Sequence, residues 1–395
     1  MRVLLAPVAT PGFVFPLIAV AEALRSRGHE AAFVTDARFA AAIEARGFAR
    51  LPRSAPDGPS FEIENWGDPV RIAIQAKHVE RALDAYRPDA VLASNLAMGP
   101  LVARELHGVP TAVLGPIALL WGPPAQPASA HPARDARRAW RHGDQLAHLE
   151  RARRAFGLPP WSGPFEASPL FGDRFLLQSV PELHAGERRP PAVRYVGSCV
   201  LPEIGALAGD DAAWIRGRRA AHRTLLYVQL GRLFRRESFW PYLERWLGER
   251  DAAAVVCVER YDGELGAHPD RVLVRDRIPQ DAVLPHADAV VCGGQPTCVL
   301  GATRHGRPLL IVSTGSGTED TAEAYAAYGA AVALENEGLT EERFRAALDD
   351  LLARGAYARA ASRLGERFAR YDGPAAVARE LEELVAARAR VAEPA

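Results

Sequence analysis

The sequence predicts an α/β protein made of two Rossmann-like domains, each built on a parallel sheet with helices on both faces. Short apolar strands alternate with amphipathic helices along most of the chain, which is the pattern of a parallel sheet with crossover helices. Strands such as Ala90–Ala93 are almost continuously apolar, as expected where both faces of a sheet are covered. The alternation restarts after a segment rich in Pro and Gly at Leu201–Asp211, which indicates a second domain.

The strands and helices of the first half are predicted from apolar runs and from the periodic spacing of apolar residues. The helix that ends at Arg27-Gly28 has Leu17, Ala21 and Leu24 on one face, and Gly is the usual residue after a helix end. The predicted strands of this half are Val3–Ala6, Ala31–Val34, Ala90–Ala93, Thr111–Leu114, Phe175–Gln178 and Arg194–Val196. Its other predicted helices are Ala40–Ala45, Arg71–Tyr86, Pro100–Leu106 and Ala133–Phe156, with an irregular segment at Pro52–Pro69.

The second half repeats the alternation and ends in helices. Its predicted strands are Thr224–Leu230, Ala253–Val258, Val272–Val274, Ala289–Cys292 and Leu309–Val312. Its predicted helices are Trp240–Leu247, Val299–Arg304, Ala322–Tyr328, Thr340–Arg354 and Ala356–Arg370. A last amphipathic helix follows Gly373-Pro374, with Val377, Leu381, Leu384 and Val385 on one face.

Composition excludes several classes of protein. The chain has 395 residues, which at ~150 residues per domain means two or three domains. Its 48 Lys and Arg balance 48 Asp and Glu, and zero net charge argues against nucleic acid or an anionic membrane as the main partner. With 48% hydrophobic and 24% charged residues it is not a disordered chain. The four cysteines lack metal-ligand spacing and are expected to be free thiols in a reducing compartment, with no metal.

No segment has the length and polarity of a membrane span. Prolines and Gly12 interrupt the apolar N-terminal run, and the stretch Val109–Trp121 is far shorter than the ~20 residues that a span needs. We therefore expect a soluble, cytoplasmic protein without a membrane span.

Four segments together resemble the family 1 glycosyltransferases, especially the bacterial natural-product enzymes. They are Arg2–Asp36, Val193–Val200 ("VRYVGSCV"), Arg223–Phe234 ("RTLLYVQLGRLF") and Ile278–Val312. The resemblance implies a GT-B architecture, in which two Rossmann-like domains face a central cleft. Residues 1–200 would bind the acceptor, 201–213 would be a linker, 214–372 would bind the nucleotide sugar, and the helix at 373–395 would cross back to the N-terminal domain.

The reaction implied by the resemblance is an inverting sugar transfer without metal or cofactor. The co-substrate would be a nucleoside-diphosphate sugar of the UDP or TDP type. The acceptor would be a hydrophobic small molecule, such as a secondary metabolite in antibiotic biosynthesis. The oligomeric state stays open, with a homodimer as one alternative.

The general base of the family is missing from its expected position. Members carry Gly-His-x-x-Pro after the first strand, whereas this chain has Phe13 at the His position of Gly12–Pro16. The family's Asp that orients the His follows the strand at Ala90–Ala93, where this chain has Ser94 and Asn95. Gly12, Phe13, Ser94 and Asn95 are therefore predicted to line the acceptor pocket, Phe13 as an apolar wall.

Four explanations remain open at this stage. The explanations are that the acceptor needs no general base, that another side chain serves as the base, that the fold catalyses a non-glycosyl reaction, or that the chain is a non-catalytic activator or binding protein. The weak candidates for a replacement base are Thr10, Asp36, Asp57 and Glu62.

The predicted donor loop lies between a strand and a helix. In the family a His-Gly-Gly-x-Gly-Thr loop holds the diphosphate with its backbone N–H groups, and a helix N-terminus suits an anion. The corresponding residues here are Cys292, Gly293, Gly294, Gln295, Pro296 and Thr297. Cys292 replaces the His, and Pro296 replaces a Gly at a position compatible with the first helical turn. The alternative is a tight turn without a ligand.

Further donor contacts are implied elsewhere in the second half. Gly231 and Arg232 would lie near the phosphates, where a guanidinium can pair with a diphosphate. Ile278 and Gln280 would lie along the nucleotide base. Spacing back from Gly329 puts Gly317 and Thr318 at the positions of the family's sugar-binding Asp-Gln pair. With a loop two residues longer, Glu319 and Asp320 would accept hydrogen bonds from sugar hydroxyls, or Glu319 would instead form a capping box with Ser316.

Overall fold

A computed structural model describes residues 1–52, 59–124, 129–201, 206–221, 224–230, 239–258, 270–315 and 317–392. The chain divides into two compact units. The first unit comprises Met1–Ser179, Gly186–Leu201 and Tyr371–Ala395, and the second comprises Val180–Ala185 and Pro202–Arg370.

The first unit is built on a parallel sheet of seven strands in the order β3-β2-β1-β4-β5-β6-β7. The strands are β1 (Arg2–Ala6), β2 (Glu30–Phe33), β3 (Ala49–Arg50), β4 (Ala90–Ser94), β5 (Thr111–Gly115), β6 (Arg174–Leu177) and β7 (Val193–Tyr195). The helices between them are α1 (Pro11–Ser26), α2 (Ala40–Glu44), α3 (Pro69–Tyr86), α4 (Gly99–His107) and α5 (Pro132–Ala155). The central strands β1 and β4 are almost wholly buried, which explains their uninterrupted apolar sequence.

The second unit has a parallel sheet of six strands in the order β10-β9-β8-β11-β12-β13. The helices are α6 (Gly209–Ala221), α7 (Trp240–Glu249), α8 (Gln280–Val283), α9 (Pro296–Arg304), α10 (Thr318–Tyr328), α11 (Glu341–Ala353) and α12 (Gly355–Phe368). The strands are β8 (Thr224–Gln229), β9 (Ala252–Cys257), β10 (Val272–Arg275), β11 (Ala289–Cys292), β12 (Leu309–Ser313) and β13 (Ala331–Glu335). Each sheet is a Rossmann-like sheet, so the predicted fold class is confirmed.

The C-terminal helix α13 (Gly373–Ala392) belongs to the first unit. Val377 and Leu381 are fully buried in the core that also contains the apolar face of α1. Glu382 accepts hydrogen bonds from Arg27 (2.7 and 2.8 Å) and is 2.7 Å from the His29 imidazole. These hydrogen bonds lower the pKa of Glu382 to about 2, so the carboxylate is charged at neutral pH and fastens α13 to the end of α1.

The structure adds elements that the sequence patterns do not reveal. The edge strands β3 and β13 were not predicted; β3 is only two residues long, too short to show a period of two. Helix α6 begins at Gly209, inside the predicted linker 201–213. Helices α1 and α9 both begin earlier than predicted, at Pro11 and Pro296, because proline at the first helical position replaces an N–H group that has no partner there. Among the described residues, no helix has both the length and the apolar character needed to cross a membrane.

Candidate functional site

The donor loop of the second unit is a tight glycine turn. Strand β11 ends at Cys292, Gly293 and Gly294 turn the chain, and Gln295 precedes α9. Gly294 has φ +89°, and a Cβ on it would lie 2.9 Å from the Cβ of Thr318 and 3.2 Å from the Cγ2 of Ile311. Both the left-handed backbone and the lack of space require glycine here.

The N-terminus of α9 lies at the carboxyl end of β11, beside this turn. The first N–H groups of a helix have no partner within the helix, and the helix dipole adds a partial positive charge. Pro296 removes one of these donors, but the next residues, Thr297 and Cys298, keep theirs. This terminus therefore has the features of a site for an anionic group such as a diphosphate.

Four polar oxygens without a hydrogen-bond partner lie just after, or at the end of, adjacent strands of this sheet. Among the described residues, they are Oε1 of Gln229 (β8), Oε1 of Gln295 (after β11), Oγ1 of Thr314 (after β12) and Oδ1 of Asn336 (after β13). Each such buried oxygen costs about 1–3 kcal/mol. Because parallel strands end at one edge of a sheet, and ligands of open α/β sheets bind at that edge, these acceptors mark a binding site.

Gln229, Thr314 and Asn336 escaped the sequence reasoning, which used family motifs alone. The signal that could have found them is their position, since each is a polar residue at the carboxyl end of an apolar strand. Gln295 was predicted, and it lies after β11 at the same edge of the sheet.

Three residues of the predicted donor site, Cys292, Gln280 and Ile278, are engaged in packing. Cys292 is fully buried, and its hydrogen bond with Cys298, together with burial, holds the pKa of Cys298 well above its usual value. A thiol buried against Cys298 does not offer the phosphate contact of the family His, so packing replaces that expected role. Gln280 is also buried and donates to the backbone oxygen of Thr297 (3.1 Å), which braces the first turn of α9. Ile278 is likewise almost fully buried, so little of its side chain is open to a nucleotide base.

The predicted sugar-binding carboxylates open helix α10. Glu319 accepts a hydrogen bond from the backbone N–H of Gly317 (3.0 Å), so one carboxylate oxygen caps the helix. Asp320 is almost fully buried. Gly231, Arg232 and Ser316 lie outside the described residues. No group of three or more His, Cys, Asp or Glu side chains in the described part of the chain is arranged to hold a metal ion.

In the first unit, the position of the missing base lies in the first turn of α1. Gly12 and Phe13 are both partly exposed, and Thr10 is the N-cap residue without a side-chain capping bond. A phenyl ring cannot accept a proton, and a threonine hydroxyl is far too weak a base at neutral pH. The first unit thus presents an apolar surface at this position.

Of the other base candidates, Asp36 has a structural role, whereas Glu62 remains a candidate. Asp36 is buried and accepts a hydrogen bond from the backbone N–H of Phe61 (2.9 Å). The backbone oxygen of Phe61 in turn accepts a hydrogen bond from the backbone N–H of Ala9 (2.7 Å). Glu62 therefore directly follows a residue that is hydrogen-bonded to the loop before α1. Asp57 lies outside the described residues.

Ser94 and Asn95, which follow each other at the end of β4, differ in role. The buried Ser94 accepts a hydrogen bond from the backbone N–H of Val8 (2.8 Å), which ties the loop after β1 to β4. The predicted contact of Ser94 with the acceptor is therefore replaced by a structural bond. Asn95 is also buried, but its Oδ1 has no hydrogen-bond partner in the part of the chain that the structure describes. The structure thus leaves Asn95 as the polar group with spare hydrogen-bonding capacity.

A small cavity of about 10 Å³, which is room for about one water molecule, lies beside Asn95 at the carboxyl ends of β4 and β5. Its walls include the apolar side chains of Leu96, Met98 and Leu170, with Trp121 and Gln145. Leu96 has φ +72°, a strained conformation for a leucine that costs about 1–3 kcal/mol and is typical of functional sites. Sequence reasoning missed Trp121 and Gln145, because they are distant in sequence and no motif links them to Asn95.

Comparison with known proteins finds relatives whose sequences span both units. Residues 243–384 match the family model described as erythromycin biosynthesis protein CIII-like, C-terminal domain. The chain is 27% identical to 4'-demethylrebeccamycin synthase of Lentzea aerocolonigenes, over 94% of this chain and 96% of the relative. It is 26% identical to the oleandomycin glycosyltransferase of Streptomyces antibioticus, over 98% and 91%.

Solved structures show the same fold. The glycosyltransferase of kitacinnamycin superimposes with a TM-score of 0.75 at 21% identity, covering 97% of this chain and 98% of that one. A spinosyn rhamnosyltransferase in complex with thymidine diphosphate gives a TM-score of 0.69 at 22% identity, covering 97% and 100%.

Two parallel-sheet Rossmann-like units with such neighbours define a GT-B glycosyltransferase. Within that class, the erythromycin CIII-like match and the glycosyltransferase relatives support a family 1 glycosyltransferase of the natural-product type, as the resemblance predicted. It is therefore a sugar-transferring enzyme, with Phe13 at the position where the family carries its histidine.

Proposed function

We propose that this chain transfers a sugar from a nucleoside-diphosphate sugar of the UDP or TDP type to a hydrophobic small-molecule acceptor, with inversion and without a metal ion, in the cytoplasm. The donor binds at the carboxyl edge of the second unit's sheet. The observation that carries this proposal is the set of four oxygens at this edge that have no hydrogen-bond partner within the described residues, together with the N-terminus of α9.

The geometry of the second unit fits the two ends of such a donor. The N-terminus of α9 offers N–H groups to the diphosphate, whose charge rises as the bond to the anomeric carbon breaks. Amide and hydroxyl oxygens accept hydrogen bonds from sugar or ribose hydroxyls. Thr314 directly follows β12, where the family binds sugar hydroxyls.

The acceptor site fits a substrate that loses its proton easily. In the transfer, the acceptor's oxygen or nitrogen forms a bond to the anomeric carbon, the diphosphate leaves with the bonding electron pair, and the acceptor's proton passes to water or diphosphate. Phe13 and Asn95 cannot take that proton. We therefore propose an acidic acceptor group, such as a phenol, which is partly ionised without a side-chain base. Glu62 is the alternative base, because Phe61 is bonded to the loop before α1.

A nucleotide panel tests the donor site. At 100 times its Kd, a bound nucleotide stabilises the folded protein by about 2.7 kcal/mol, which at ~2–4 °C per kcal/mol raises the melting temperature by about 5–10 °C. We expect this shift with TDP or UDP in the presence of EDTA, and no comparable shift with thymidine or uridine alone. If no nucleoside diphosphate raises the melting temperature, the proposal is wrong.

Two threonine variants of the same unit form a matched pair. Thr314→Val removes an oxygen that has no partner and keeps the shape of the side chain. Thr303→Val removes a hydroxyl that is bonded to Val299 O and Tyr325 OH, both at 2.7 Å. We expect Thr314→Val to weaken nucleotide-sugar binding without loss of stability, and Thr303→Val to lower stability with little change in affinity. The reverse pattern would exclude Thr314 from the donor site.

Measurements on the enzymatic reaction test the stereochemistry of sugar transfer and the identity of the general base. A proton NMR spectrum of the product gives the anomeric configuration, and retention would contradict the inverting reaction. Glu62→Gln should leave kcat unchanged with a phenolic acceptor. A large loss of kcat in Glu62→Gln would instead identify Glu62 as the base.

A further inference from the structure

Helix α5 packs one face into the core of the first unit and turns another face to solvent. Its buried residues Leu149 and Ala152 belong to a core cluster of that unit. On the outer face, Trp140 is 68% exposed, more than any other large apolar residue among those that the structure describes. A single exposed apolar residue needs no explanation. Trp140, however, belongs to a periodic set.

The outer face of α5 has the residue spacing of a coiled-coil seam. Apolar residues recur along it at alternating steps of three and four, and they are Ala133, Ala136, Trp140, Gly143 and Ala147. The first four are exposed and the last is half-buried. This spacing places all five on one stripe, as at the a and d positions of a coiled coil. Because all of them except Trp140 are small, a second helix can approach the stripe closely.

Gly143 is the residue of this stripe that the packing of the chain itself does not explain. It lies inside α5, where glycine is a poor helix former. Its φ is outside the left-handed region, and a Cβ on it would meet no atom of the described residues within 4 Å. Alanine would therefore fit the isolated chain. The missing side chain leaves a notch one turn from Trp140, of the kind that receives a large side chain from a facing helix.

The charges beside the stripe indicate how a facing helix would run. Arg137 and Asp144 lie seven residues apart on the same edge of the stripe and have opposite charges. When two copies of one helix pack antiparallel, these edges meet, so Arg137 of each copy faces Asp144 of the other across a two-fold axis. When they pack parallel, this edge meets the opposite edge, which carries the uncharged Ala139 and Leu146.

The antiparallel alignment also matches the sizes of the side chains. It places Trp140 of one copy over Gly143 of the other, and Ala136 opposite Ala147. The largest side chain of the stripe therefore meets the notch, and small residues meet small residues. Charge and size thus both make the stripe complementary to itself.

We propose that this stripe is the interface of a homodimer in which two copies of α5 pack antiparallel. Trp140 of each chain fills the notch at Gly143 of the other, and Arg137 and Asp144 form two ion pairs between the chains. The seam is only about four helical turns long, so it belongs to the small interfaces and the dimer should dissociate in the micromolar range. The inference does not depend on which reaction the chain catalyses.

Sedimentation velocity of the full chain over the micromolar range tests the interface. We expect a monomer–dimer equilibrium for the parent and a monomer at every concentration for Trp140→Glu, whose melting temperature should not change because the side chain is exposed. The matched control is Val70→Glu, since Val70 is 65% exposed on α3 of the same unit but lies outside the stripe. This control should dimerise like the parent. A parent that stays monomeric, or Trp140→Glu that dimerises like the parent, would overturn the inference.

Charge reversal tests the pairing across the two-fold axis. Asp144→Arg places like charges opposite each other twice and should weaken the dimer by about tenfold or more. Adding Arg137→Glu to that variant restores opposite charges and should recover the affinity. A double variant that remains as weak as the single one would contradict the pairing of Arg137 with Asp144.

Cross-linking tests the direction of the helices without relying on either charge. The four native cysteines are buried, so a cysteine introduced on the stripe is the accessible thiol. A mixture of Ala136→Cys and Ala147→Cys chains should form a disulfide between chains when oxidised glutathione is added. Each variant alone should not, because the two copies of one position lie about 16 Å apart along an antiparallel pair, beyond the ~7 Å that a disulfide spans between Cα atoms. Cross-linking within each variant but not in the mixture would indicate parallel helices and overturn the inference.

Discussion

Substitution of Gly294 by alanine should damage the second unit much more than substitution of Gly293, although the two are neighbours in the same turn. Gly294 has φ +89°, and a non-glycine residue in the left-handed region costs about 1–2 kcal/mol. The added Cβ would also lie 2.9 Å from the Cβ of Thr318 and 3.2 Å from Ile311 Cγ2, and such overpacking costs about 1–3 kcal/mol. The expected loss is therefore about 2–5 kcal/mol.

The matched variant is Gly293→Ala. A Cβ on Gly293 meets first the Nε2 of Gln295 at 2.8 Å, which is the far end of a flexible side chain that can move. Its φ is not in the left-handed region, so alanine at this position should change stability by at most about 1 kcal/mol.

Calorimetry measures the stability difference between the two variants. At ~2–4 °C per kcal/mol for a domain of this size, Gly294→Ala should lower the melting temperature of the second unit by about 4–20 °C. The melting temperature of Gly293→Ala should stay within a few degrees of the parent. Gly294→Ala should also lose TDP affinity, because the displaced turn moves the N-terminus of α9. Equal melting temperatures for the two variants would refute this account of the turn.

Three further predictions concern the first unit. Glu382→Gln should lower the free energy of unfolding by only about 1 kcal/mol at neutral pH, since the ion pair with Arg27 is partly exposed. Because the pKa of Glu382 is lowered in the folded state, the stability difference between parent and variant is complete above about pH 4.5 and disappears as the pH falls toward 2. Denaturation at a series of pH values measures this difference. Ser94→Ala leaves the buried N–H of Val8 without its acceptor and should cost about 1–3 kcal/mol in the free energy of unfolding, with unchanged TDP affinity; equal stability would contradict that role. Phe13→Leu should raise the acceptor KM and leave the pH profile of kcat unchanged, and an altered profile would contradict the apolar role of this position.

Sequence reasoning predicted the sheets because burial on both faces leaves a pattern that survives in one sequence. Strand β4 reads as uninterrupted apolar residues, and the structure buries all of it. The short edge strand β3 leaves no such pattern, since a strand of two residues has no periodicity. Helix α6 was missed because Gly209 and its acidic neighbours resemble a linker, while only Asp211 and Ile215 of its residues are buried.

The site was harder to predict than the fold, because its polar residues are separated in sequence and meet only in the folded chain. The motif located the turn at Gly293–Gly294, since glycine is required there locally. It also suggested a ligand role for Cys292, which the structure shows buried against Cys298. Whether a side chain at a strand end is satisfied by the protein or left for a ligand depends on its neighbours in space. That difference separates Ser94 from Asn95, although the two adjoin in sequence.

The changes at positions 13 and 95 are coherent when they are considered together. A histidine base needs a carboxylate to orient it and to stabilise its charged form, so loss of the histidine removes the need for a buried charge nearby. An unpaired carboxylate at position 95 would be costly to bury, whereas the neutral amide of Asn95 costs much less and keeps an oxygen that accepts hydrogen bonds. On the proposed function, Phe13 and Asn95 therefore supply an apolar surface and a hydrogen-bond acceptor where the resemblance implies a proton-transfer pair. That combination suits the acceptor proposed above, which ionises without a side-chain base.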